Sequence, residues 1–87
     1  MAAYELVFRK SVAKELRSLP KRDLQRVLSR IDTLADEPRP AGAEKLSGRE
    51  LYRIRQGQYR IVYEIADQRL IVTVVRVGHR RDIYRGI

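Results

Sequence analysis

With 87 residues the chain fits one small domain, residues 1–87, and its core must be thin, because only about 60–65% of the unfolded surface can be buried at this size. The absence of cysteine excludes a disulfide framework and thiolate metal ligands, and no apolar run approaches the length of a membrane span or a signal peptide, so the expected location is the cytoplasm. Nineteen Lys and Arg against eleven Asp and Glu leave a net charge of +8, which favours a polyanionic partner: nucleic acid, a ribosome or an acidic protein.

The chain opens on a short β-prone stretch, Tyr4–Phe8, predicted as one strand. Ser11 is placed to cap a helix in which Val12, Leu16 and Leu19 recur at i, i+4 and i+7. Pro20 ends that helix and is tolerated at the start of the next. In the second helix Leu24, Val27, Leu28, Ile31, Leu34 and Ala35 form one apolar stripe, with cations and amides opposite. Pro38 and Pro40 stop it, and PRPAGAEKLSGRE reads as a loop.

From Leu51 the hydrophobic period changes from 3.6 to two. LYRIR, YRIVYEI and RLIVTVVRV are predicted as three antiparallel strands joined by short turns at Gln56–Gln58 and Ala66–Gln68. The expected fold is α+β: an N-terminal strand, then a two-helix hairpin packed on a mainly antiparallel four-stranded sheet, in the order β-α-α-β-β-β. A short helical turn over Arg80–Tyr84 closes it.

The cations change character along the chain. No lysine follows Lys45, whereas residues 49–87 hold nine arginines. Guanidinium forks match phosphate oxygens in a way that solubility alone does not demand. Gly57-Gln58 fits a type II′ turn, which wants glycine at its first central position. That register sets Gln56 opposite Tyr59, Arg55 opposite Arg60, Ile54 opposite Ile61 and Arg53 opposite Val62. Alternation then puts Tyr52, Ile54, Ile61, Tyr63 and Ile65 under the helices, and Leu51, Arg53, Arg55, Arg60, Val62 and Glu64 on the other face. Two arginines directly opposite repel, so Arg55 beside Arg60 suits an anion held between them, with solvated surface arginines as the alternative. The third strand is apolar on both faces, and the side taken by Arg76 cannot be read from it.

The segments YRIRQGQYRIVYEI and VVRVGHRRDIYR, with the preceding EKLSG loop and the two-helix half, resemble the RelE branch of the RelE/ParE toxin family over almost the whole chain. The resemblance implies a toxin of a type II toxin–antitoxin pair: a cofactor-free, metal-independent endoribonuclease that cuts mRNA in the ribosomal A site. In that reaction the ribose 2′-OH attacks the neighbouring phosphate. The implied catalytic positions fall on Arg60, Arg80 and Tyr84, and phosphate binding falls on Arg53, Arg55 and Arg81. The implied partners are a RelB-like antitoxin, mRNA on the ribosome and, only through the toxin–antitoxin complex, operator DNA.

One departure from the family pattern matters. Its usual lysine pair aligns with Arg53 and Arg55, and a guanidinium is a poor proton acceptor at neutral pH. His79, the only histidine, is then the candidate base, or else a turn residue that packs or caps. Two other functions stay open: a ParE-like DNA gyrase inhibitor, which shares the fold, and a non-catalytic basic module that binds antitoxin or operator DNA.

Overall fold

The computed structural model describes residues 4–46 and 50–83. In chain order the elements are β1 (Glu5–Phe8), α1 (Lys10–Arg17), α2 (Lys21–Thr33), β2 (Glu44–Lys45), β3 (Leu51–Gln56), β4 (Tyr59–Ala66) and β5 (Ile71–His79). All the strands belong to one sheet in the order β1-β5-β4-β3-β2, with β1 parallel to β5 and the other pairs antiparallel. Among the described residues no helix is long and apolar enough to cross a membrane.

The expected α+β architecture holds, with five strands in place of four. The additional strand, β2, lies within the segment read as a loop, where Glu44 pairs with Arg53 and Lys45 with Tyr52. Two exposed residues carry no alternation, so only the pairing reveals them. The other corrections are local. Ser11 lies inside α1 rather than at its cap, and the cap position is Arg9, which makes no side-chain capping bond. Pro20 occupies the cap of α2, where its missing N–H costs nothing. The last strand starts at Ile71 rather than Arg69, because Arg69 and Leu70 lie in the preceding turn and Leu70 has φ of 55°.

The helices bury one side of the sheet. Val12 of α1, Val27 and Ile31 of α2, and Leu34 just beyond it are fully buried against Ile54, Ile61, Tyr63, Val72, Val74 and Val77. Leu28, expected in the stripe, sits at its rim and is 37% exposed. Tyr63 is the largest fully buried side chain; its ring stacks on Tyr52 at 5.9 Å and its hydroxyl donates to the Pro38 carbonyl at 2.7 Å. Burial pushes the Tyr63 phenol up to about 12, so it stays a neutral donor well into the alkaline range.

Register along β5 is broken once. Val62 pairs with Arg76 and Tyr63 with Val74, leaving Val75 as an extra residue in a bulge. The bulge settles the parity that the sequence leaves open. Val72, Val74 and Val77 face the helices, while Val75 joins Leu51, Val62 and Ile83 in a small second cluster on the opposite face.

Where β1 ends, the outer edge of β5 is met by α1 instead. The Glu15 carboxylate accepts the Val77 N–H at 2.9 Å and receives Arg76 Nε at 3.4 Å.

At the far end of the sheet Arg39 closes a polar clamp. It donates to both carboxylate oxygens of Asp67, at 3.1 and 2.8 Å, and through Nε to the Tyr52 hydroxyl at 3.1 Å. Tyr4 also donates to Asp67, at 2.7 Å, so the α2–β2 loop, the β4–β5 turn and the start of β1 meet at one carboxylate. The hydrogen bonds from Arg39 and then Tyr4 lower the Asp67 pKa from 3.8 to about 2. A carboxyl depressed in the folded state stabilises above its unfolded value and loses that contribution as pH falls from about 4 towards 2. Thermal melts should therefore show Asp67→Asn with a lower midpoint than wild type at about pH 6. The gap between them should close by about pH 2; a gap that persists unchanged would remove Asp67 from the acid response.

Candidate nucleic-acid interface

The face away from the helices carries the arginines. The hairpin register matches the expected one at each pair: Gln56↔Tyr59, Arg55↔Arg60, Ile54↔Ile61 and Arg53↔Val62. Gly57 has φ of 60° and Gln58 does not share a positive φ, which fits the type II′ turn. The Arg55–Arg60 row continues onto Gly78 of β5, which is paired with Arg60. Glycine at that position leaves the row without a side chain on its third strand.

Arg55 is exposed and Arg60 half-buried, with Arg60 Nη1 donating to the Tyr59 carbonyl at 3.3 Å. Arg53 differs from both. It forms an ion pair with Glu44 of β2 at 2.6 Å, and its side chain is only 14% exposed against 60% for Glu44. Glu44 as the acidic partner of Arg53 was not foreseen, because it depends on the two-residue strand that the sequence hides. Arg53 therefore shapes the floor of the face, while Arg55 is more open to a ligand.

The chain end folds back over the same side. After His79 the Asp82 and Ile83 amides both donate to the His79 carbonyl, at 2.8 and 3.0 Å, making a single helical turn. Ile83 is fully buried beside Leu51, Val62 and Val75. A Cβ added at Gly78 would approach the Ile83 side chain to 3.3 Å, which shows how closely the turn lies on the strand. Arg80 and Arg81 are exposed on this turn. Arg80 is fixed by its N–H, which donates to the Gln58 carbonyl at 2.8 Å, so it stands beside the hairpin that carries Arg60. Tyr84, the other expected catalytic position, lies outside the described residues.

His79 is placed elsewhere. It pairs with Tyr59, whose ring packs on the helix-side core and whose hydroxyl donates to Asp23 of α2 at 3.1 Å. The two rings meet edge-on at 6.0 Å. Parity thus sets His79 on the opposite side of the sheet from Arg55 and Arg60. Its Nδ1 accepts the Arg81 N–H at 3.2 Å. A neutral imidazole that accepts through Nδ1 carries its proton on Nε2, which makes it a donor to its surroundings. The burial of Tyr59 and its bond to Asp23 raise the Tyr59 phenol, which keeps it protonated. Sequence reasoning missed Tyr59 and Asp23 as neighbours of His79: the β4–β5 register reveals the first, and the hydrogen bond from the Tyr59 hydroxyl reveals the second.

An open basic sheet face, backed by a helical hairpin and ended by a short basic turn, makes this a small α+β protein with an exposed cationic surface. Comparison with known proteins carries this further. Residues 6–84 match the family model of the ParE toxin of type II toxin–antitoxin system. Toxin RelG of Mycobacterium tuberculosis is 37% identical over 86 residues, covering 94% of this chain and 97% of the relative. The mRNA interferase toxin RelE of Escherichia coli is 33% identical over 81 residues, covering 90% of this chain and 84% of the relative. A chain in the crystal structure of the toxin–antitoxin complex RelBE2 from Mycobacterium tuberculosis superposes with a TM-score of 0.79 at 30% identity, covering 90% of this chain and 99% of that one. The chain belongs to the RelE/ParE superfamily of toxins of type II toxin–antitoxin systems, as a RelE-type member.

Proposed function

We propose that this toxin is a ribosome-dependent endoribonuclease that cuts mRNA in the A site. The reading is supported most by the row Arg55–Arg60–Gly78, in which two arginines are paired across neighbouring strands beside a position without a side chain. An unfavourable cross-strand pair of this kind gains a purpose when a phosphate sits between the two.

The 2′-OH attacks the adjacent phosphorus, the P–O5′ bond breaks, and a cyclic phosphate and a 5′-OH result. Arg60 and Arg80 offset the negative charge that grows on the phosphate oxygens, and Arg55 and Arg81 hold the flanking backbone. Arg53 borders the site beside Arg55, with its charge partly offset by Glu44. Proton transfer falls to Tyr84 in this reading, as the likeness to the RelE pattern VGHRRDIYR implies. His79 takes no chemical step, because its Nδ1 lone pair is engaged by Arg81 and its ring lies on the far face.

A RelB-like antitoxin is the partner that accompanies this reading, as the toxin–antitoxin complex among the structural neighbours supports. A net charge of +8 suits a partner that masks the face with acidic side chains. Operator DNA is engaged only through that complex.

The match to a ParE model favours a second reading, inhibition of DNA gyrase. Translation in vitro with mapping of mRNA 5′ ends separates the two. Cuts within ribosome-bound message that vanish with Arg60→Ala and Arg80→Ala are the expected result. Intact message together with gyrase-dependent DNA breaks in cells would overturn the nuclease in favour of the inhibitor.

A further inference from the structure

The helix side of the sheet holds a groove that the cleavage scheme leaves unused. Two clefts of about 350 and 390 Å³ lie between α2 and the β3–β4 hairpin, and they share Arg26 and Gln56 as lining residues. They therefore form one continuous track. Arg26 and Arg30, one helical turn apart, supply cations along one wall. Gln56 and Gln58 present amides from the hairpin, and the Tyr59–His79 ring pair lies at the end nearest the turn.

Each group offers what an unpaired nucleotide needs. Guanidinium groups take phosphate, and amides offer donors and acceptors to base edges. Aromatic rings supply a stacking surface that accepts any base. The one carboxylate in the track, Asp23, is occupied by the Tyr59 hydroxyl, which also pins that ring. His79 is held through Nδ1 by the Arg81 amide.

The track begins one residue away from the arginine face. Gln56 follows Arg55 and Tyr59 precedes Arg60, with side chains on opposite faces of the same hairpin end. A strand of RNA that rounds the Gly57–Gln58 turn passes from one face to the other.

We infer that this groove is a second binding track for single-stranded RNA, seating a nucleotide that flanks the scissile phosphate, with Arg26 and Arg30 on the backbone and the Tyr59–His79 pair against the base. The inference rests on the RNA-cleaving reading and assigns His79 to substrate binding.

The test uses the full chain and a short fluorescent 2′-O-methyl RNA, which cannot be cut, with binding followed by anisotropy across a salt series. Arg26→Ala/Arg30→Ala should lower the salt slope by about 1.4, the value for two phosphate contacts on a single strand. His79→Ala should weaken binding about 5- to 150-fold with the slope unchanged, as loss of one stacked base does. Lys10→Ala/Lys14→Ala removes the same charge from exposed positions on α1 and should leave both readouts close to wild type. An equal loss of slope in that control would overturn the groove in favour of undirected attraction. So would unchanged RNA binding by Arg26→Ala/Arg30→Ala, including the case where only a glutamate-rich peptide binds less well. Thermal melts confirm that each variant is folded. Message cleavage, mapped in parallel, separates the two claims. Groove-dependent binding without cutting removes the nuclease and keeps the track, whereas cutting without groove dependence does the reverse.

Discussion

Arg60→Ala is expected to slow cleavage of ribosome-bound message about 10²- to 10³-fold, the loss typical when one donor to a developing negative charge is removed. The position combines three features. Arg60 sits opposite Arg55, its neighbour on the other side is Gly78, and its side chain is half-buried with Nη1 anchored on the Tyr59 carbonyl. A guanidinium held in this way is oriented before substrate arrives, so less ordering entropy is lost on binding. Arg60→Lys keeps the charge without the fork and should recover only part of the rate. Arg55→Ala, at an exposed position, should raise the concentration of message needed more than it lowers the maximal rate. Single-turnover 5′-end mapping distinguishes these outcomes, and a wild-type rate in Arg60→Ala would remove this residue from the chemistry.

Tyr63→Ala should be the most damaging change to stability among the described core positions. The side chain is fully buried, stacked on Tyr52 and bonded to the Pro38 carbonyl. Truncating a buried aromatic costs about 3–5 kcal/mol, and the carbonyl left behind adds to that. A small domain has a total stability of about 5–15 kcal/mol, so the melting midpoint should fall by roughly 15–30 °C or the variant should not fold. Tyr63→Phe keeps the ring and loses only the hydrogen bond, at about 1–2 kcal/mol. Urea unfolding of the two variants side by side measures the packing and the hydrogen bond separately. Equal midpoints would show that the phenol bond, not the ring, carries the effect.

What the sequence discloses depends on how local the determining interaction is. The hairpin from Leu51 to Ile65 is legible because a turn glycine and strict alternation both fix its register, and each predicted pair is present. The apolar stripe of α2 is legible for the same reason, apart from Leu28 at its rim. Glu44 is not, since a two-residue strand has no period and its pairing with Arg53 depends on a contact across the sheet. His79 is the instructive case. Its chemistry and its arginine neighbours suggest a member of the catalytic face, but the bulge at Val75 shifts the phase of β5 and turns it towards Tyr59. Nothing in a strand of valines announces such a bulge.

Glu15 bears on how the protein behaves before any partner arrives. Past Phe8, the edge of β5 that faces away from β4 has no strand beside it among the described residues, and an unpaired edge invites another chain to extend the sheet. The carboxylate on Val77 and Arg76 fills that vacancy with a side chain from the protein's own helix. An incoming strand must first displace an internal acceptor, and one rich in acidic residues is repelled while doing so. The sheet is thereby biased against self-templated growth at the end where β5 meets the Arg55–Arg60 hairpin.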